Sequence, residues 1–532
     1  MTAAATPTAP ATATRTVPAT AAATPFAARL ADAAARHAAR PYLIFEGRAV
    51  TYAETARHVA AAAGLLADQG VAPGDRIMVL LGNVPSCLYT IFGAWLLGAP
   101  AVPVNPEQTA REISYLLEHA APRLVVTGAA HADRHAATLG AAGIAVAHVA
   151  DEPPAGGLPA DRSRTPPAAA TGPATTAAGS ATAALIIYTS GSSGRPKGVV
   201  LTQGNVLANA ASVAQWYSFS PADRLLTVLP LSFINPIIIS SLAPLLAGAS
   251  TALSREFGPF GLARFWQLVD EHDVNILSAV PTIYGGLLRL DSPRGREAGR
   301  KVRLALCGGA APAPGLVRAF GERYGCPPAD NYGLTETTCW ATMSPPDPAR
   351  RRPGSAGIAV DCEARVIDDR GHPLPPGARG EVVIRGANVT PGYWRDQHLT
   401  AERLGDGWLH TGDVGSMDSD GFVYIHGRRD DMVIRRGVNI YPREVDDVLL
   451  EHPQVAEART IGVPSELDGQ ELVSYVTVQD AAAVSAQDLM NHCRSRLSHP
   501  RWPREVRIVD HLPTTPSGKV ATRLLREGLP HD

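Results

Sequence analysis

A chain of 532 residues is too long for one ordinary hydrophobic core, so two or more domains are expected. A formal net charge of −2 argues against nucleic acid or an anionic membrane surface as the main partner. The six cysteines (Cys87, Cys307, Cys326, Cys339, Cys362 and Cys493) are scattered without a CxxC pair, which argues against a metal cluster and fits a reducing, cytoplasmic compartment.

The first 25 residues are mostly Ala, Thr and Pro with one charge at Arg15. They lack the basic start and apolar core of a signal peptide, and a disordered tail is expected. Over residues 26–70 helical patterning flanks a short strand pair near 42–53. Residues 77–81 then read as a buried strand, followed by an apolar helix to Leu97 and a strand at 100–104, an α/β rhythm. Residues 151–182, rich in Pro, Ala, Gly and Thr, have no periodicity and predict a flexible solvated loop. A strand at 184–188 follows, and strand–helix units continue to about residue 330. The uncharged run 225–254 is interrupted by Pro230, Asn235, Pro236 and Pro244, which predicts buried core segments and no membrane span. Over 364–424 short strands alternate with Gly and Pro turns, a smaller β-rich subdomain; 445–532 reads as compact α+β.

Lysine is nearly absent. Of 48 Lys plus Arg, only Lys197, Lys301 and Lys519 are lysine. Such a composition keeps Lys where a compact charge on a flexible stem is needed and a planar guanidinium does not serve. Lys197 closes a loop dense in Gly and Ser: Thr189, Ser190, Gly191, Ser192, Ser193, Gly194, Arg195, Pro196. A loop of this kind after a buried strand offers successive N–H groups and hydroxyls to an anion, with Lys197 as a mobile charge. No Gly-Lys-Ser/Thr closes it, so it is not the usual P-loop. Lys519 ends Pro516, Ser517, Gly518 near the C-terminus.

The loop at 188–198 resembles the phosphate loop of the adenylate-forming superfamily, which comprises acyl-CoA synthetases, peptide-synthetase adenylation domains and luciferase. Four further segments resemble that family's motifs in the same order. Asn331, Tyr332, Gly333, Leu334, Thr335 and Glu336 match the adenine and magnesium motif, and Thr411, Gly412 and Asp413 the ribose motif. Gly427 to Asp431 match the hinge, and 512–519 the catalytic-lysine loop. The resemblance implies an α/β fold: a large N-terminal domain of layered α/β sheets with a small β-rich subdomain (26–428), a hinge at 429–431, and a small mobile α+β C-terminal lid (432–532).

The chemistry implied is attack of a carboxylate on the α-phosphate of ATP, giving an acyl-adenylate and pyrophosphate. Charge neutralisation by cations and N–H donors matters there more than a proton-transfer base. By resemblance, Thr189 to Gly194 and Lys197 hold the β- and γ-phosphates. Tyr332 packs on adenine, Gly309, Ala310, Ala311, Pro312, Asn331, Gly333 and Leu334 complete the nucleotide site, and Thr335 contacts the α-phosphate. Glu336 would hold Mg²⁺, a hard ion suited to one carboxylate plus phosphate oxygens. Asp413 would accept both ribose hydroxyls with Arg428 in support. Without the other motifs, Asp413 reads as a turn residue and Glu336 as a helix N-terminal acid. Asp430 falls at the pivot on which the lid would swing Lys519 into the cleft for adenylation and out for transfer. Arg435 and Arg436 either line the thiol tunnel or are solvated charges. Lys301 matches no motif.

For the acid, the resemblance implies a pocket of Phe233, Asn235, Ile239 and Ser278, with Gly308 and Gly333 leaving room for a flat or slender group. Phe233 stands where many acyl- and aryl-CoA synthetases of the family carry His. Asn235 stands where amino-acid-activating domains carry Asp, so an α-amino acid is not expected. An aryl, arylacrylic or otherwise apolar acid fits this reading, a medium-chain fatty acid being the runner-up. Asn235 would meet a distal hydroxyl or amino group, unless it only satisfies nearby backbone. The acceptor is CoA, or the phosphopantetheine of an acyl carrier protein, or a non-thiol nucleophile such as an amine. The reading from another class is a nucleotide-binding protein without turnover.

Overall fold

A computed structural model describes residues 25–152, 179–190, 196–255, 259–290, 292–435, 438–465, 469–479, 483–514 and 520–528. The expected N-terminal tail and most of the 151–182 loop lie outside these residues.

Two large sheets form the N-terminal part. One has the strand order Gly392–Tyr393, Pro196–Thr202, Ala183–Ser190, Ala101–Pro103, Ile77–Leu80, Leu124–Thr127, Ala145–His148. The last five of these strands run parallel. The central strands of such a sheet are covered on both faces, and Ile77–Leu80 and Leu124–Thr127 are buried along their whole length. Ile77 and Val79 face one core while Met78 and Leu80 face another, the period-2 split of a pleated strand. The second sheet runs Ile358–Ala359, Thr342–Met343, Ala329–Tyr332, Leu304–Cys307, Ile276–Ala279, Arg224–Thr227, Ser250–Leu253, Pro41–Phe45, Arg48–Thr51. The helices Pro85–Leu96 and Gln203–Trp216 share one core with residues of both sheets, and every residue from Pro85 to Trp95 is buried.

The β-rich subdomain is an antiparallel sheet of Cys362–Ile367, Gly380–Gly386, Leu409–Met417 and Val423–Arg428. After the turn Arg429–Asp431, the C-terminal part builds its own sheet and core on Val455–Ser465 and Gly469–Val478.

Two expectations shift in detail. The strand pair ends at Thr51, because Thr51 and Glu54 form a capping box that starts the helix Tyr52–Asp68. The uncharged run holds the short helices Ile234–Ile237 and Ala243–Ala247 around a π-turn, Ile238–Leu242. Pro244 has no N–H to continue the ladder, which widens there. Among the described residues no helix is long and apolar enough to cross a membrane.

The N-terminal ends of neighbouring strands are clamped by one carboxylate. Asp223 accepts from Arg303 Nε at 2.6 Å and Nη2 at 2.9 Å, from Asn275 Nδ2 at 3.0 Å and from Ser220 N at 2.7 Å. Burial raises its pKa, but the Arg303 and Ser220 contacts together outweigh burial and hold it below its ordinary range. Stability from such a depressed group is fully present above the unfolded value and is lost as pH falls through the folded one. Arg303→Met should therefore lower stability by about 2 kcal/mol at pH 7, the loss of charged hydrogen bonds to a buried partner. Thermal melts of variant and wild type should converge as pH falls below about 4. A pH-independent gap would show that packing of the Arg303 stem, not the ion pair, carries the effect.

Candidate active site

The C-terminal ends of the parallel strands, the β-rich subdomain and the C-terminal part surround one cleft of about 2020 Å³. Ligands bind at such strand ends in open α/β sheets.

The hairpin of Ala183–Ser190 and Pro196–Thr202 pairs Thr189 with Lys197, and both line the cleft. Both ends of the loop between them are tied to the helix Ala110–Ala120. Tyr115 donates to Pro196 O at 2.8 Å, and Tyr188 Oη lies 2.8 Å from His119 Nδ1. Gly191, Ser192, Ser193, Gly194, Lys519 and Arg436, and the side chain of Ser190, lie outside the described residues.

Tyr332 ends the strand Ala329–Tyr332 and donates to Asp413 Oδ2 at 2.6 Å. Arg428 Nε lies 3.0 Å from Asp413 Oδ1. Asp413 is 4% exposed. Burial, and then the Asp413 charge, push the Tyr332 phenol well above its ordinary range, so it stays a donor.

Thr335 and Glu336 open the 3₁₀ turn Thr335–Thr337, held by a bond from Leu334 N to Thr337 Oγ1 at 2.8 Å. The next residue, Thr338, has φ 67°, a costly value for a β-branched side chain, and is held there by its hydroxyl on Asn388 O at 2.6 Å. Glu336 Oε1 accepts from Tyr393 Oη at 2.8 Å, and Thr390 N donates to Glu336 O at 2.8 Å. Tyr393 lies on Gly392–Tyr393, paired with Val199 and Val200 just after the phosphate loop. This pairing joins the Glu336 turn to the phosphate hairpin. Gly309, Ala310, Ala311, Gly333 and Leu334 also line the cleft, whereas Pro312 is buried beneath it.

Residues 30–394 match the AMP-binding enzyme family, and residues 444–519 match the AMP-binding enzyme C-terminal domain. The chain belongs to the AMP-binding enzymes. It is 37% identical over 503 residues to a sulfoacetate–CoA ligase of Cupriavidus necator, covering 93% of this chain and 96% of that one. It is 34% identical to a feruloyl-CoA synthase of Amycolatopsis, covering 89% and 93%. Crystalline ATP-bound MatB from Rhodopseudomonas palustris superposes with a TM-score of 0.84 at 29% identity, covering 94% and 98%. As an AMP-binding enzyme the chain is an ATP-dependent acid–thiol ligase, built as the sequence implied from a large N-terminal and a small C-terminal domain.

Several residues sit differently from the sequence reading. The Asn331 amide is spent inside the protein: it donates to Cys307 O and Ala329 O and accepts from Tyr217 and Ser344 N. Arg435 is neither solvated nor turned to a tunnel, because it pairs with Glu471 at 2.9 Å and donates to Pro500 O and Trp502 O. Lys301 makes a surface ion pair with Asp270 at 2.7 Å. Of the acid-pocket residues, Phe233 and Gly333 reach the cleft wall. Ile239 is fully buried in the core, and Ser278 Oγ donates to Asn235 Oδ1 at 3.2 Å. On the side where a Cβ would project, Gly308 and Gly333 face the protein. A Cβ on Gly308 would stand 2.7 Å from Trp340 Nε1, and one on Gly333 1.8 Å from Cys339 O, so the protein itself fills both spaces. Sequence reasoning missed Tyr393, His119 and Trp340, whose parts depend on pairings distant in sequence.

Asp413→Ala should raise the KM for ATP at least about tenfold, as expected when a charged partner with two hydrogen bonds is removed. Tyr332→Phe should raise it by less, since Arg428 still holds the carboxylate. ATP-dependent pyrophosphate exchange measures both. Equal KM values in the two variants would mean that Asp413 works only through Tyr332.

Proposed function

We propose that the chain activates a carboxylic acid as its acyl-adenylate and transfers the acyl group to CoA. A carboxylate oxygen bonds to the α-phosphorus as the bond to the β-bridging oxygen breaks, and pyrophosphate leaves. The CoA thiol then attacks the acyl carbon and AMP leaves. The observation that carries this reading is the Tyr332–Asp413–Arg428 cluster, facing the same cleft as Lys197, Thr335 and the Glu336–Tyr393 pair. Tyr332 stacks on adenine and Asp413 takes the ribose hydroxyls. Lys197 and the loop Thr189 to Gly194 bind the outer phosphates, and Thr335 the α-phosphate.

Glu336 fits a hard cation: Tyr393 occupies Oε1, and Oε2 has no partner among the described residues. No group of three or more His, Cys, Asp or Glu residues able to hold a metal occurs there either. One carboxylate plus phosphate oxygens suits Mg²⁺, which would neutralise charge on the nucleotide. CoA is favoured as acceptor because the similar curated relatives are CoA ligases. Those relatives range from a sulfoacetate to a feruloyl enzyme, so likeness alone leaves the acyl group to local geometry. All six cysteines are buried free thiols, in keeping with a cytoplasmic setting.

Pyrophosphate release over a panel of acids, with and without CoA, tests the ligase; release that no acid stimulates would overturn it. Lys519→Ala should abolish adenylation yet spare thioester formation from synthetic acyl-adenylate, because Lys519 serves only the first half-reaction. Equal loss of both would contradict two lid positions. Asp430, exposed in the turn Arg429–Asp431, is the proposed pivot. Asp430→Pro fixes φ and should slow transfer more than adenylation. Wild-type rates in both half-reactions would place the pivot elsewhere.

A further inference from the structure

Gly308, one of the residues expected at the acid pocket, is backed by a side chain of this chain. The Trp340 indole lies against Gly308, with Nε1, Cε2 and Cζ2 at 2.7, 3.2 and 3.3 Å from where a Cβ would be. Gly308 follows the strand Leu304–Cys307 at its ligand-facing end, and the next residue, Gly309, already lines the cleft. Trp340 is 2% exposed. Its backbone is fixed on both sides by Asn209: Nδ2 donates to Trp340 O at 2.7 Å, and Oδ1 accepts from Trp340 N at 3.4 Å. The backbone that carries the indole is therefore held in place. Phe233 and Ser232 line the cleft, and the Ser232 hydroxyl is buried without a partner among the described residues.

We propose that Trp340 sets the length of the acid, so that the enzyme activates short carboxylic acids of about two to four carbons in preference to aryl or long-chain ones. A close-packed interior offers no second place for an aromatic ring where the indole already lies. The acyl group stops beside Ser232 and Phe233, and its carboxylate stays within reach of the α-phosphate site at Thr335. Trp340 can play this part only if the chain adenylates an acid, as proposed above.

Acyl-sulfamoyl adenosines, stable mimics of the acyl-adenylate, separate the two statements by calorimetry, with ATP binding measured alongside. Wild type should bind the acetyl or propionyl mimic at least about tenfold tighter than the phenylacryloyl mimic, the scale on which a filled pocket discriminates size. Trp340→Ala should reverse that ratio. Trp340→Leu, which keeps more of the core volume, should narrow it and guards against a variant that fails to fold. Equal binding of short and aryl mimics by wild type would overturn the assignment, as would an unchanged ratio in folded Trp340→Leu. Failure to bind ATP and every mimic would remove the ligase reading and the size assignment with it. ATP binding together with a preference for the aryl mimic would remove the size assignment alone.

Discussion

The site depends on one buried carboxylate. Asp413 lies on the strand Leu409–Met417 of the β-rich subdomain, and its partners are Arg428, directly opposite it on the neighbouring strand of the same sheet, and Tyr332, from the nine-stranded sheet. A charge so far from water is tolerated only while it is paired and hydrogen-bonded. Tyr332, Asp413 and Arg428, the proposed adenine and ribose contacts, are thereby set relative to one another. Preorganisation of this kind spares the cost of ordering those groups at the moment of reaction.

A second tie couples the remaining half of the nucleotide site. Glu336 is reached by Tyr393, whose short strand is an added edge on the hairpin that carries the phosphate loop. The loop's two ends are fixed to a single helix through Tyr115 and His119. Thr189 and Lys197, the described ends of the loop, therefore sit on paired strands. Adenylation needs charge neutralised at fixed positions rather than a moving proton, and the arrangement suits that demand.

Much of this was legible in the sequence. Apolar runs such as Ile77–Leu80 marked strands buried on both faces. The nucleotide residues stood out because each belongs to a short segment whose residue types are demanded by phosphate, ribose or metal. The acid compartment was not legible in the same way. Gly308 and Gly333 read as openings, since a glycine in a sequence shows only that a side chain is absent. The neighbours that fill that absence, Trp340 and Cys339, arrive through folding. Arg435 illustrates the converse: a charged residue beside a hinge suggests an exposed role, but Glu471 and two carbonyls draw it inside.

The sequence by itself determined the family, the α/β plan and the division into a large and a small domain, and marked the groups proposed to meet ATP, because these rest on local periodicity and on motifs closed within a few residues. The tertiary structure alone decided which of those groups are free for ligand. It spent the Asn331 amide within the protein, bridged Asp413 between Tyr332 and Arg428, joined Glu336 to Tyr393, and backed Gly308 with Trp340. The reason is physical. Hydrogen-bond satisfaction and close packing are settled between residues far apart in the chain, and a side chain's availability is what remains after both are met.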